Sequence, residues 1–200
     1  MANWITNPQT LSGKVVELHT MTPDHFPALI AMANEKKIWQ HYAYDGSDPD
    51  KFNSVLAGAL TELKQGSQFP FVIFHKAENR LIGGTRFMDI QYAHRKLEIG
   101  STWLHPDYWG TAVNLECKLL LLTFCFETLQ TLRVQLKTDE NNIRSRKAIE
   151  KIGAQFEGIF RNDMLRDNGT HRNSAYYSII ASEWKEKKGT LTRLFESKLD

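Results

Sequence analysis

The stretch that decides the fold is WGTAVNLE, residues 109–116, which lies between a strand-like run, Leu97 to Leu104, and a long helical pattern. Backbone N–H groups in the first turn of a helix have no intrahelical partner, and the helix dipole adds partial positive charge there. Gly110 and Ala112 would let an anion approach that backbone closely. The stretch therefore predicts a phosphate-binding loop. The alternative is a simple turn, from Pro106 to Gly110, before a core helix.

The helix after this loop is predicted to run from about Val113 to Gln130. Its apolar residues recur in alternating steps of four and three, which places them on one face: Leu115, Leu119, Leu122, Phe126 and Leu129. We expect this face to be buried, so the core fixes the position of the helix start.

Length and composition predict one soluble domain over residues 1–200. The chain has 200 residues, of which 42% are hydrophobic and 24% are charged. No apolar run approaches the roughly 18 residues that a membrane-spanning helix needs. The first residues do not follow the pattern of a secretory signal, so the expected location is the cytoplasm. Residues 183–200 are predicted to form a C-terminal helical tail.

Charge and cysteine content argue against several classes of protein. A net charge of +2 argues against nucleic acid as the main partner, and no membrane partner is predicted. Cys117 and Cys125 would lie roughly 12 Å apart on one helix, which exceeds the reach of a disulfide. The histidines and cysteines do not follow the spacing of metal ligands, so no metal site is predicted.

The remaining elements predict an α/β (α+β) fold in the order β-α-α-β-β-β-α-β-α-β-β. Thr22-Pro23-Asp24 and Asp48-Pro49-Asp50 each combine an N-cap with a proline at the first helical position, which starts the first two helices. Asp167-Asn168-Gly169 is a turn signal between the last two strands. Seven strands are predicted: Lys14–Thr20, Phe69–His75, Leu81–Ile90, Lys96–Leu104, Leu132–Thr138, Ala154–Met164 and Asn173–Ser182.

Four ordered blocks between about residues 70 and 184 resemble the GNAT N-acetyltransferases, and among them the RimJ/RimL-like branch. They are EIGSTWL at 98–104, HPDYWGTAVNLECK at 105–118, NIRSRKAIEKIG at 142–153, and an R-x-x-x-x-Y-S segment at 172–178 followed by Glu183-Trp184. In that family the first block lies beside the pantetheine arm of the cofactor. The second block resembles the pyrophosphate loop, and the third resembles the N-x-x-S segment.

The resemblance implies a GNAT fold, in which a central mixed, largely antiparallel sheet of about seven strands is flanked by helices. A V-shaped splay is expected between the fourth and fifth strands. The implied reaction is transfer of an acetyl group from acetyl-CoA to a primary amine, by direct attack in a ternary complex. The implied cofactor-binding residues are Trp103, Leu104, Trp109, Gly110, Thr111, Ala112, Val113, Asn114, Asn142, Ser145 and Lys147.

The loop departs from the family pattern at three positions. The general GNAT loop reads Q/R-x-x-G-x-G/A, and here Trp109, Ala112 and Asn114 stand at the specified positions. The Asn114 side chain either donates to a phosphate or narrows the site. These departures keep open the alternative of a non-catalytic acyl-CoA-binding or sensor domain of the same fold.

Glu98 and Ser145 are the catalytic residues that the resemblance implies. An ammonium group must lose a proton before it can attack a thioester, and some family members use a strand glutamate at the position of Glu98. The alternative is that Glu98 pairs with a cation such as Arg86 or Lys96. Ser145 would protonate the leaving sulfur and Asn142 would contact the pantetheine, although both residue types are also ordinary at a helix start.

The acceptor pocket is predicted at the loop between the first two helices. Trp39 and Tyr42 lie there, where acceptors commonly dock in the family, and the alternative is that they pack the loop onto the sheet. The acceptor would be a protein N-terminus or a small-molecule amine. The chain is expected to be a monomer or a homodimer. A structural role, with the C-terminal tail as the contact, is the third possibility.

Overall fold

Eight strands form one sheet in the computed structural model, which describes residues 4–6 and 9–199. The strands are β1 (Thr10–Ser12), β2 (Val16–Thr20), β3 (Phe69–His75), β4 (Arg80–Gln91), β5 (Lys96–Leu104), β6 (Arg133–Asp139), β7 (Gln155–Leu165) and β8 (His171–Ile180). They are arranged in the order β1-β2-β3-β4-β5-β6-β8-β7. Neighbours are antiparallel except β5 and β6, so the predicted mixed, largely antiparallel sheet is confirmed. The strand absent from the prediction is β1, whose three residues are too few to show an alternating pattern.

Within the described part of the chain, five α-helices flank this sheet. They are α1 (Phe26–Ala33), α2 (Pro49–Gln65), α3 (Ala112–Thr123), α4 (Ile143–Lys151) and α5 (Trp184–Glu196). The predicted long helix is observed as α3 followed by a π turn over Phe124–Thr128. Helix α5 lies within the predicted C-terminal tail. Within the described ranges, no helix is long and apolar enough to cross a bilayer.

The sheet opens between β5 and β6. Only three residue pairs join these strands, from Lys96–Arg133 to Glu98–Gln135, and the strands separate beyond them. This is the V-shaped splay expected between the fourth and fifth predicted strands. Ser101 lies just beyond the separation with a φ of 48°, in the left-handed region, and the register between β4 and β5 shifts opposite it. The backbone of β5 is therefore irregular where its edge becomes free.

Two apolar clusters cover the two faces of the sheet. Phe71 and Ile73 belong to one cluster and the residue between them, Val72, belongs to the other, as expected for successive side chains of a strand. Helices α3 and α5 pack with the larger cluster, and α1 and α2 pack with the smaller one. The free edge of β5 thus lies between two rigid layers.

A buried carboxylate holds α3 to the chain segment before β2. Glu116 is 3% exposed, and its carboxylate accepts hydrogen bonds from the backbone N–H groups of Lys14, Val15 and Val16 at 2.6 to 2.8 Å. A carboxylate that satisfies three successive N–H groups forms charge-assisted hydrogen bonds, which are stronger than neutral ones. Glu116 therefore fixes the helix whose first turn borders the splay.

Candidate active site

A cavity of about 350 Å³ lies at the splay, between β5, the start of α3, the start of α4 and the loop that joins α1 to α2. Nine residues singled out from the sequence line it: Tyr42, Glu98, Trp103, Leu104, Trp109, Gly110, Asn114, Asn142 and Ser145. Five others are not among its lining residues: Trp39, Thr111, Ala112, Val113 and Lys147. Among the residues that the structure describes, no three His, Cys, Asp or Glu side chains are grouped so as to hold a metal ion.

The loop at the start of α3 exposes backbone to the cavity. Gly110 has a φ of 78°, which a side chain would strain, and nothing lies within 4 Å of the place where its Cβ would be. The Thr111 hydroxyl donates to the Tyr108 carbonyl at 2.8 Å and accepts from the Val113 N–H at 3.3 Å. Ala112 and Val113 are buried, so their side chains pack the helix start against the core.

Trp109 and Arg144 join the two sides of the splay. The Trp109 indole N–H donates to the Leu104 carbonyl at the end of β5. The Arg144 guanidinium carbon lies 3.4 Å from the centroid of a Trp109 ring, which is a cation–π contact. Burial lowers the pKa of Arg144 from its ordinary value. Arg144 belongs to the N-x-x-S block, but its contact with Trp109 was not predicted. The sequence does not show which basic residue of α4 faces β5.

The other basic side chains of α4 do not line the cavity, and Arg146 is bound elsewhere. Its Nε donates to the Tyr177 hydroxyl at 2.9 Å and its Nη1 to the Glu140 carbonyl at 3.3 Å. Lys147 is exposed. The basic residue of this helix that lines the cavity is Arg144.

Glu98 is a buried carboxylate in the cavity wall. It is 3% exposed, and its Oε2 accepts from Gln135 Nε2 at 2.9 Å and lies 3.5 Å from Lys137 Nζ. Glu98 therefore does pair with a cation, as the alternative predicted, but the cation is Lys137 of β6 and neither Arg86 nor Lys96. Since β6 diverges from β5 directly after this point, Glu98 lies at the closed end of the splay.

The start of α4 combines the two roles considered for it. The Asn142 side chain accepts from the Ser145 N–H at 3.0 Å, which is an N-cap. Both residues also line the cavity. Capping fixes the Asn142 amide and the backbone of Ser145 at the wall of the cavity.

Trp39 and Tyr42 differ in their surroundings. Trp39 is 4% exposed and packs against Phe52 and Trp103, so it forms part of the smaller core cluster. Tyr42 lines the cavity, and its hydroxyl donates to the Thr102 carbonyl at 2.7 Å. Burial raises the pKa of Tyr42 far above its ordinary value, so the hydroxyl remains a donor.

Lys118 is a buried lysine that the sequence analysis did not single out. It is 6% exposed, lines the cavity one helical turn after Asn114, and donates to Thr102 Oγ1 at 2.8 Å. Thr102 Oγ1 also lies 2.7 Å from Thr85 Oγ1. Within the described residues, no carboxylate lies within 4 Å of its Nζ. Burial lowers the pKa of Lys118 to about 8.

We expect the Lys118→Met variant to be more stable than the wild type at neutral pH. The pKa of Lys118 is about 8 in the folded protein against an ordinary value of 10.5, so protonation opposes folding below pH 8. This penalty, about 3 kcal/mol at pH 7, is relieved as the pH rises from about 8 to 10.5. Urea unfolding across this pH range should show that the free energy of unfolding rises with pH in the wild type and does not rise in Lys118→Met. The exposed Lys185→Met is the control, and equal pH dependence of all three proteins would contradict the prediction.

Comparison with known proteins assigns the family. The model of the acetyltransferase (GNAT) domain family matches residues 16–155. The chain therefore belongs to the GNAT acetyltransferase family, and the predicted resemblance to that family is confirmed.

Individual relatives agree with this assignment. The chain is 32% identical over 111 residues to the "Putative ribosomal N-acetyltransferase YdaF" of Bacillus subtilis (strain 168), a match that covers 56% of this chain and 60% of YdaF. A GCN5-related N-acetyltransferase from Brucella melitensis superposes with a TM-score of 0.86 at 25% identity, over 95% of this chain and 86% of that one. Mycobacterium smegmatis RimJ, solved in complex with CoA-disulfide, has a TM-score of 0.76 at 20% identity, over 94% and 92% of the two chains, and shows the common fold.

Proposed function

We propose that the protein is an acetyl-CoA-dependent N-acetyltransferase that acts on a primary amine by direct attack in a ternary complex. The observation that carries this proposal is one cavity at the splay that brings together Glu98, the loop before α3 and the start of α4. These three parts are 98, 110 and 145 residues into the chain and meet only through the fold. A carboxylate can serve as general base, an exposed backbone turn can bind the diphosphate of the cofactor, and a hydroxyl can pass a proton to the leaving sulfur.

The residues around this cavity fit acetyl-CoA. The backbone at Gly110 and Asn114, at the start of α3, suits the diphosphate, and Arg144 adds a cation beside it. The free edge of β5 at Trp103 and Leu104 suits the amides of the pantetheine, and Asn142 faces them from α4. When bound, acetyl-CoA supplies the acetyl group as a thioester. The RimJ structure with CoA-disulfide supports this fit, since RimJ shares the fold.

Glu98 and Ser145 divide the proton transfers in this proposal. Glu98 takes the proton that the ammonium must lose before its nitrogen can attack a carbonyl carbon. Gln135 and Lys137 hold this carboxylate in place. As the new C–N bond forms and the C–S bond breaks, Ser145 passes its hydroxyl proton to the departing thiolate, and the second proton that the nitrogen loses restores the hydroxyl. The cap by Asn142 fixes the backbone of Ser145.

The acceptor enters, in this proposal, beside the loop that joins α1 to α2. Tyr42 lines the cavity there, and its hydrogen bond to Thr102 ties the loop to β5. Trp39 supports the loop from the core. A protein N-terminus and a small-molecule amine are the two acceptor classes, and the name of YdaF as a ribosomal N-acetyltransferase favours testing N-terminal peptides first.

Calorimetry with acetyl-CoA followed by a thiol-release assay tests the proposal. We expect binding of acetyl-CoA and release of CoA thiol with at least one member of a panel of N-terminal peptides, amino acids, polyamines and aminoglycosides. Binding of acetyl-CoA or longer acyl-CoAs without transfer to any amine would favour the sensor alternative. Failure to bind any CoA compound would contradict both functions.

We expect Asn114→Asp to weaken acetyl-CoA binding by at least about tenfold, because a carboxylate at the start of α3 would repel the diphosphate. Asn114→Ala separates the two roles considered for this side chain. Weaker binding in Asn114→Ala means that the amide donates to a phosphate, and tighter binding means that it crowds the site. Asn53→Ala, on the exposed face of α2, is the matched control. Unchanged affinity in Asn114→Asp would remove this helix start from the cofactor site.

A further inference from the structure

Cations outnumber acidic residues around the cavity. Among the residues that the structure describes, five lysine and arginine side chains line it against the one carboxylate of Glu98: Arg86, Lys118, Lys137, Arg144 and Arg172. Of these five, Lys137 is the one whose ammonium lies within 4 Å of Glu98. An amine is itself cationic until it loses a proton, so this wall repels an acceptor that carries positive charge alone. The acceptor chemistry that fits must include negative charge.

Arg86 lies on the same face of the sheet as Glu98. Arg86 pairs with Gly100 across β4 and β5, and Met88 pairs with Glu98, so Arg86 and Glu98 are diagonal neighbours. Such neighbours have Cα atoms about 7–8 Å apart. A cation and an anion thus stand close enough together for one small molecule to contact both.

The guanidinium of Arg86 has unused donors. Its Nη1 donates to Gln68 Oε1 at 3.3 Å, and among the described residues no carboxylate lies within 4 Å of it. Glu62, whose charge favours protonation of Arg86, lies beyond that distance. Burial lowers the pKa of Arg86, although a guanidinium stays charged at neutral pH. A half-buried cation whose nearest carboxylate lies beyond 4 Å is only weakly compensated, and an anionic ligand would offset the cost of its desolvation.

Arg172 adds positive charge on the side of the α1–α2 loop. It is buried on β8, donates to Ser174 Oγ through Nε and Nη2, and reaches the His41 carbonyl through Nη1 at 3.4 Å. Burial lowers the pKa of Arg172 as well. Tyr42 lies within the electrostatic range of both arginines. The two guanidiniums therefore border the part of the cavity next to this loop.

This charge is separate from the place proposed for the cofactor diphosphate. Arg86 is opposite Gly100, four residues before Leu104, which is about 13 Å along the strand. The loop that leads to α3 begins only after Leu104. The cofactor phosphates at that loop would therefore lie too far away to pair with Arg86.

We propose that the acceptor is a primary amine that also carries a carboxylate, which Arg86 binds while Glu98 faces the ammonium. This rests on the proposed N-acetyltransferase function and narrows its substrate class. A guanidinium binds a carboxylate through two parallel hydrogen bonds, and Arg172 strengthens the attraction from β8. The carboxylate comes either from a free amino acid or from an acidic residue next to the N-terminus of a peptide.

Matched acceptors test the proposal in thiol-release assays with acetyl-CoA. One series compares α-amino acids with their amides, and the other compares tetrapeptide amides that carry Asp or Asn at the second position, with putrescine as a dication. We expect kcat/KM to be roughly 10- to 100-fold higher for the acid than for its neutral partner in at least one series. The series that shows this preference identifies the source of the carboxylate. Arg86→Gln should abolish the preference, whereas the exposed Arg80→Gln on the same strand should keep it.

The outcomes distinguish the proposed carboxylate site from the N-acetyltransferase function on which it rests. Equal rates for acid and neutral acceptors, or a preference for putrescine, would overturn the carboxylate site and leave the N-acetyltransferase function intact. Absence of transfer despite acetyl-CoA binding would contradict the function. In that case calorimetric titration of the CoA complex with the same pairs of acceptors tests the carboxylate site. Tighter binding of the acids, lost in Arg86→Gln, would support the site. Equal binding of acid and neutral acceptors would overturn it. Acetyl-CoA affinity of Arg86→Gln checks that the variant is folded.

Discussion

The Glu116→Ala variant should lose about 3–5 kcal/mol of its free energy of unfolding. Removal of this carboxylate leaves the N–H groups of Lys14, Val15 and Val16 without their charge-assisted partner, and the N–H of Val16 is buried. Urea unfolding gives the change directly. Since Glu116 lies in α3, the same variant should also bind acetyl-CoA more weakly wherever it is still folded.

Glu127→Ala is the matched control, because Glu127 lies near the end of the same helical segment and is half-exposed. It pairs with Lys188 and accepts from Trp184 Nε1, so its loss should cost about 1 kcal/mol or less. Equal losses in Glu116→Ala and Glu127→Ala would show that the hydrogen bonds of Glu116 stabilise the protein no more than the contacts of Glu127 do.

Gly13 offers an independent probe of the same contact. A Cβ at Gly13 would lie 2.3 Å from the Cδ of Glu116, so Gly13→Ala must displace the carboxylate. We expect Gly13→Ala to be destabilising in the wild type and much less so in combination with Glu116→Ala, since the smaller side chain leaves room. Additive effects would contradict the contact.

Glu98→Gln should lower kcat by about 10²-fold and raise the pH at which the rate reaches half its maximum. The substitution keeps the shape of the side chain, so contacts with Gln135 and the β5 strand can persist while the proton acceptor is lost. Without that acceptor, the rate follows the fraction of amine that is already neutral, and it increases toward the pKa of the amine, near 8 for an α-amine. Steady-state kinetics from pH 6 to 10 measures both changes.

Asp89→Asn is the control for this variant. Asp89 lies on β4 and is exposed, so the same change of charge there should leave both kcat and the pH profile unaltered. A Glu98→Gln profile that coincides with the wild type would remove Glu98 from the role of base. A uniform fall in rate without a shift in pH would instead indicate that Glu98 only positions Lys137 and Gln135.

Much of the fold could be predicted because the spacing of apolar residues along the chain indicates which face of a helix or strand is buried. The core face of α3 and the start of α2 follow from apolar spacing and capping residues, and the structure confirms both. Thr22-Pro23-Asp24 instead begins a 3₁₀ turn over Pro23–His25, and α1 begins only at Phe26. The π turn over Phe124–Thr128 was not predicted, because its apolar residues continue the pattern of an ordinary helix. The positive φ of Ser101 was not predicted either, since no residue type there requires it.

The candidate site was predicted in part, where a resemblance supplied positions. Glu98, Gly110 and Ser145 were named from their blocks, and the fold brings them to one cavity. Trp39 and Tyr42 could not be told apart from sequence. Both are aromatic residues of one loop, and only their packing assigns one to the core and the other to the cavity.

The sequence alone determined the family, the order of elements and the loop at residues 109–116, because each depends on local spacing or on ordered blocks of sequence. Only the tertiary structure decided which charges converge. Arg86, Arg172 and Lys118 come from β4, β8 and α3, and no local pattern relates them to each other or to Glu98. The physical reason is that the cost of a buried charge depends on what surrounds it in space, and those neighbours are separated along the chain by up to 86 residues, from Arg86 to Arg172.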